Sequence, residues 1–154
     1  MTFYKMEDTY EYKEIGLPME IMAHNIIKRA YGVDIIETCN NADFDFKDSN
    51  HITYEIKADR RSISTNNFFI AYGQKTLANT ELQPAGISKS KADYHMLMYG
   101  ESFYKIKTAD IRFLIFKNAY YTRITKNARN EEIHGLLLKV SCLKQYAIIY
   151  NLIT

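Results

Sequence analysis

Between Ala42 and Arg61 the chain reads ADFDFKDSNHITYEIKADRR, two runs in which apolar and polar residues alternate. Phe44 and Phe46 fall on one side of the first run, with Asp43 and Asp45 on the other. In the second, Ile52, Tyr54 and Ile56 oppose Glu55 and Lys57. A period of two is that of a strand with unlike faces, so the spacing predicts a hairpin in which Asp48, Ser49 and Asn50 serve only to turn the chain. Upstream the period lengthens. In GLPMEIMAHNIIKRAYG, Leu17, Ile21, Ile27 and Ala30 can share one helical stripe, Pro18 suits the first turn and Gly32 the stop.

Beyond the hairpin, SISTNN reads as a polar turn and NFFIAY as a third strand. QKTLANTELQPAGISKSK reads as a long connection with a helix starting near Ser88, and DYHMLMYG as a strand. The last third alternates: SFYKIK a strand, TADIRFLIFKNA a helix capped by Thr108, YYTRIT and EIHGLLLKV strands, and SCLKQYAIIYNL a closing helix capped by Ser141. This order predicts an α/β fold, a central mixed β-sheet flanked by helices with an appended C-terminal strand and helix layer.

The 154 residues, 47% apolar, suit a single domain over 1–154. A formal charge of +2 creates no global field that draws nucleic acid, so any basic surface must be local. No apolar run approaches the roughly 20 residues of a membrane span. The charged start MTFYKMEDTYEYKE does not read as a signal peptide, and Cys39 and Cys142 lack metal spacing, so the expected setting is a reducing cytoplasm. His24, His51, His95 and His134 show no zinc spacing and are expected to be structural or at the surface, although His24 shares a helical face with Glu20. No Gly-rich phosphate loop is present. The 13 Tyr and 8 Phe suit core and sheet packing; Tyr120 and Tyr121, beside Arg123 and Lys126, are the best candidates for stacking on bases.

In an antiparallel hairpin, residues directly opposite have Cβ atoms about 4.5–5.5 Å apart, which can set Asp45 beside Glu55 with Lys57 on the same surface. The plain reading of such a face is a solvated one. The sharper reading starts from two repelling carboxylates: a divalent cation relieves them, and Mg²⁺ prefers hard oxygen ligands with several retained waters. A lysine alongside then suits phosphodiester hydrolysis. Glu20, in the first turn of the preceding helix, offers a third acid.

Glu20, then Asp43 or Asp45, then Glu55-Ile56-Lys57 resembles the PD-(D/E)xK phosphodiesterase superfamily, whose fold is that of restriction endonucleases. The flanking TYEIKADRRSISTNNFFIAYG and PAGISKSKADYHML are similar to small phage-type nucleases of that superfamily, so the resemblance runs from Pro18 to Met98. TNN stands where those relatives carry Thr-Gly-Asn, and Ala71 where they tend to carry Glu.

The resemblance implies a restriction-endonuclease-like fold and a Mg²⁺- or Mn²⁺-dependent endonuclease acting on DNA in a bacterial or phage-infected cell. Asp45 and Glu55 would be metal ligands, with the carbonyl of Ile56 and with Glu20, directly or through water; Asp43 is the alternative to Asp45. Lys57 would attend the attacking water. Arg60 and Arg61 are candidates to steer nucleic acid, and Ser88, Lys89 and Lys91 to hold a backbone phosphate at a helix start. RNA is a rival substrate, and a catalytically silent nucleic-acid- or protein-binding module is the rival function. Double-strand cleavage would call for a homodimer.

Overall fold

The strand TYEIKA, Thr53–Ala58 (β3), is buried along nearly its whole length because neighbours flank it on both edges and layers cover both faces. The computed structural model describes residues 17–39, 43–59, 61–78, 80–117 and 120–152. A helix, α1 (Leu17–Tyr31), leads into strands β1 (Ile35–Thr38), β2 (Phe46–Asp48) and β3. Then come one helical turn, α2 (Ser62–Thr65), the long β4 (Asn67–Lys75), the short β5 (Gln83–Pro84) and a 3-10 turn at Gly86–Ser88. β6 (Tyr94–Tyr99), β7 (Ser102–Lys107), α3 (Thr108–Phe116), β8 (Tyr120–Lys126), β9 (Glu132–Lys139), α4 (Val140–Lys144) and β10 (Ile148–Asn151) complete the order.

The chain is mixed α/β but builds two sheets rather than the single one expected. The larger is ordered β1-β2-β3-β6-β7-β10, the smaller β5-β4-β9-β8. β3 and β6 run parallel while the remaining pairs are antiparallel, so the larger sheet is mixed. A parallel pair needs a crossover, and here β4, β5 and the 3-10 turn supply it in place of the usual helix.

Two apolar layers flank the larger sheet. On one face Met19, Ala23 and Ile27 of α1 meet Phe46, Tyr54, Ile56, Met96 and Phe103. On the other, Leu97, Tyr104 and Ile106 meet Phe68, Ile70 and Leu138 of the smaller sheet, with Ile111 and Leu114 of α3 and Leu143 of α4. The α1 stripe therefore differs from expectation. Ile21 and Ala30 are exposed, and Met19, Ala23 and Ile27, four apart, make the contact, the small Ala23 sitting where helix and sheet approach.

Other local expectations are corrected. SISTNN closes as α2, with the Asn66 N–H on the Ser62 carbonyl and Asn66 in the left-handed region. No helix starts at Ser88. Gly86, at φ +53°, packs so closely on Ala71 that a Cβ would stand 2.2 Å from its carbonyl oxygen, and the 3-10 turn ends at Ser88. Thr108 is the first residue of α3 rather than its cap, and Ser141 lies inside α4, which begins at Val140. The closing helix gives way after Lys144 to β10, which pairs with β7 through Ile148, Ile149 and Tyr150. Asp48 does more than turn the chain: buried at the end of β2, it accepts from the N–H groups of Asn50 and Ile52 and from the Tyr54 hydroxyl. Among the described residues no helix is long and apolar enough to cross a membrane.

Candidate active site

β2 and β3 pair through Phe46–Tyr54 and Lys47–Thr53. Asp45, just before this ladder, donates its N–H to the Tyr54 carbonyl at 2.8 Å, and its Oδ2 accepts the Ile56 N–H at 2.7 Å. The Asp45 side chain thus takes the place of a backbone acceptor and is fixed against the Glu55–Ile56 backbone. On the other edge of β3 the parallel register pairs Glu55 with His95 and Lys57 with Leu97. Glu55 and Lys57 share a face by strand alternation, and Glu55 Oε2 lies 3.4 Å from Lys57 Nζ and 3.1 Å from His95 Nε2. The other imidazole nitrogen, Nδ1, is 2.8 Å from the Thr108 hydroxyl.

Exposure removes the plain reading of the hairpin. Asp45 and Glu55 are each 3% exposed and Lys57 5%, so this is no solvated face. Asp45 Oδ1, Glu55 Oε2, Lys57 Nζ and His95 Nε2 are buried without a hydrogen bond among the described residues; the two ion pairs are close enough but poorly directed. Buried polar atoms left unsatisfied are costly and uncommon, and four on one short stretch of sheet call for a reason.

The two carboxyls are driven apart in acidity. Burial, reinforced by the charge of Glu55 and further by that of Glu20, pushes the Asp45 carboxyl up to about 8, against the opposing pull of the Ile56 N–H and Lys57. Burial acts the same way on Glu55, but the charge of Lys57 and the adjoining His95 outweigh it and bring the carboxyl down to about 2. One acid is therefore poised to hold a proton near neutrality and its neighbour to stay ionised.

Glu20 stands half-buried in the first turn of α1, near enough for its charge to act on Asp45. Asp43 is turned elsewhere: its carboxylate is 3.9 Å from Lys91 Nζ, and its carbonyl accepts the Lys91 N–H at 2.8 Å. Asp45 is the candidate aspartate bonded to the Glu55–Ile56 backbone and acted on by the Glu55 charge. Ser88, Lys89 and Lys91 are exposed around the 3-10 turn, where the expected helix N-terminus is missing. Arg61 is exposed, and its carbonyl accepts the Thr65 N–H. Arg60 lies outside the described residues. His24 packs edge-on against Phe46 with ring centroids 4.5 Å apart, and burial first, then Lys28, holds its pKa below the ordinary value.

Neither His95 nor Thr108 was assigned to the candidate site from the sequence, where Thr108 reads as a helix cap. A lone histidine in DYHMLMYG reads as structural, and only the parallel pairing of β3 with β6 brings it to Glu55.

Among the described residues no three His, Cys, Asp or Glu side chains group as a metal cage. Mg²⁺ does not require one, since it retains several waters and is held through one or two carboxylates. Asp45 and Glu55, each with an oxygen lacking a hydrogen bond and with a lysine close by, fit such an ion. No protein-family model matches the chain, and no curated protein matches it.

Proposed function

We propose that this chain is a metal-dependent phosphodiesterase that cleaves DNA. The observation that carries the reading is the burial of Glu55 and Lys57 on β3 and of Asp45 just ahead of β2, all with unsatisfied polar atoms. Mg²⁺ or Mn²⁺ held by Asp45 and Glu55, with the Ile56 carbonyl and Glu20 completing the ligand set, would polarise a phosphoryl oxygen and lower the pKa of a bound water.

The chain's own residues do the rest. Glu55 stays ionised across the neutral range and presents a permanent acceptor. Asp45, bonded through Oδ2 to the Ile56 N–H, is locked in orientation with Oδ1 remaining for a ligand. Lys57, anchored by its ion pair to Glu55, can donate to the attacking water and offset charge building on the phosphoryl group. β3 carries Glu55 and Lys57, and backbone hydrogen bonds to β3 fix Asp45 just ahead of β2, which limits the reorganisation needed at the moment of reaction.

We place this activity in the cytoplasm of a bacterial or phage-infected cell. One such site cuts one strand, so double-strand cleavage requires two copies acting together. The test is incubation with plasmid, single-stranded, flapped and junction DNA in Mg²⁺ or Mn²⁺, with an RNA arm in parallel. Cleavage lost in Lys57→Ala is the expected result. No cleavage of any substrate, or equal cleavage by Lys57→Ala, sinks the reading and favours a silent binding module.

A further inference from the structure

The smaller sheet buries one face, Phe68, Ile70 and Leu138, in the core. Its opposite face carries a cross-strand row in which Phe69 of β4, Leu137 of β9 and Tyr121 of β8 stand side by side. Lys139 lies in the row before it and Arg123 in the row after, both exposed. Tyr121 is 64% exposed, while Phe69 and Leu137 are half-buried. Gly135, beside Arg123, is where a side chain has no room: a Cβ would meet the Phe69 ring at 2.3 Å, so that ring lies over the Gly135 backbone.

We propose that this face is a stacking platform for single-stranded DNA. Two aromatic rings on a pleated surface, an aliphatic between them and a cation on each side are the parts such binding needs: faces for bases, charges for phosphates. The charge is one-sided. No Asp or Glu occupies these three rows, and both carboxylate oxygens of Asp59, the acid bonded to β4, are engaged by the backbone N–H groups of Arg61 and Phe69. The rows offer positive side-chain charge beside aromatic faces, and a polyanion with bases to stack complements both.

Asp59, two residues beyond Lys57, holds the Phe69 N–H on its Oδ2 at 2.9 Å, which ties the start of β4 to the end of β3. The choice of DNA rests on the phosphodiesterase reading; the stacking surface rests on the sheet itself. Strand-separated DNA, such as a flap or a single-stranded end, is then the preferred substrate class.

The experiment is fluorescence anisotropy with labelled oligo-dT, oligo-rU and a duplex of equal length, in EDTA so that binding is measured without cleavage. Oligo-dT should bind more tightly than duplex. Tyr121→Ala should weaken oligo-dT binding about tenfold, Tyr121→Phe should retain it, and Arg123→Ala should reduce its salt dependence. Both positions are exposed, and a melting curve for each variant checks the fold. Unchanged binding in Tyr121→Ala and Arg123→Ala overturns the platform while leaving the cleavage reading to its own test. Dissociation of a dimer by Tyr121→Ala in sedimentation overturns it in favour of self-association. Oligo-rU bound more tightly than oligo-dT overturns the choice of DNA.

Discussion

Glu55 and His95 are direct partners in the parallel pairing of β3 with β6, carboxylate Oε2 and imidazole Nε2 lying 3.1 Å apart. The Thr108 hydroxyl anchors the ring at Nδ1, which sets Nε2 against the Glu55 carboxylate. On the proposed function, His95 would be a positioning residue for Glu55. Partners that orient a ligating carboxylate typically contribute 10–100-fold in metal affinity. In His95→Ala, the Mn²⁺ concentration giving half-maximal cleavage should rise by about tenfold or more, with a smaller rise in Thr108→Val. A metal titration of cleavage, repeated by calorimetry, measures it; an unchanged half-maximal concentration would remove His95 from the site.

The opposed acidities of Asp45 and Glu55 give the fold a pH profile. Asp45 is raised from the ordinary 3.8 to about 8, so its contribution is fully present below about pH 4 and is lost as pH rises toward 8. Glu55 is lowered from 4.5 to about 2, so its contribution is present above about pH 4.5 and lost as pH falls toward 2. In EDTA, urea melts of the wild type should show stability declining between pH 5 and 8.5. Asp45→Asn, with no charge to bury, should show a flatter curve that meets or crosses the wild type near the upper end. Added Mn²⁺ should stabilise the wild type more at pH 8 than at pH 6, because a ligand must first lose its proton. A wild-type curve as flat as that of Asp45→Asn contradicts this account.

The part of the candidate site that lies on one stretch of chain was legible, because alternation along β3 puts Glu55 and Lys57 on one face and Asp45 immediately precedes the strand paired with it. The Asp43–Asp45 ambiguity was not resolvable there, since both have the same parity; it takes the Tyr54 carbonyl on the Asp45 N–H and the Ile56 N–H on its carboxylate to choose. His95 escaped because its partnership with Glu55 is non-local. The second sheet escaped for the same reason: NFFIAY announces a strand, but nothing within it says that the partner is EIHGLLLK, more than 60 residues on. At the C-terminus, helical spacing and strand preference competed in KQYAIIYNL. Pairing with β7 decided for a strand from Ile148.

Asp48 is buried like Asp45 and Glu55, but its hydrogen bonds are satisfied. It is 2% exposed, and its oxygens accept from the Asn50 N–H at 2.8 Å, the Ile52 N–H at 3.1 Å and the Tyr54 hydroxyl at 2.8 Å. Tyr54 in turn stacks on Phe46 with ring centroids 4.7 Å apart. Asp48→Ala leaves three donors without their acceptor and should cost about 3 kcal/mol in urea denaturation, whereas Asp48→Asn, which can still accept, should cost roughly 1 kcal/mol. Cleavage per folded molecule should hold in Asp48→Asn. A loss for Asp48→Ala no larger than that of an ordinary surface substitution would show that the turn is held by other contacts.

Lys105, on β7, is buried, with Nζ 4.0 Å over the Tyr31 ring and 4.1 Å over the Tyr94 ring, and it donates to the Tyr31 hydroxyl at 2.6 Å. The Tyr31 and Tyr150 hydroxyls are themselves 2.5 Å apart. For Tyr31, burial would raise the phenol pKa, but hydrogen bonds from Lys105 and Tyr150 and the charge of Lys105 outweigh it, so the group is lowered; Tyr150 is raised by burial and by its bond to Tyr31. The pair should therefore ionise in two well-separated steps. In an alkaline titration followed by tyrosinate absorbance, the wild type should show one tyrosine ionising below the ordinary range. Lys105→Met, which keeps the apolar stem and removes the cation, should abolish that early step, and Tyr150→Phe should move it upward. An early step that survives Lys105→Met would mean that the lowered phenol does not depend on this lysine.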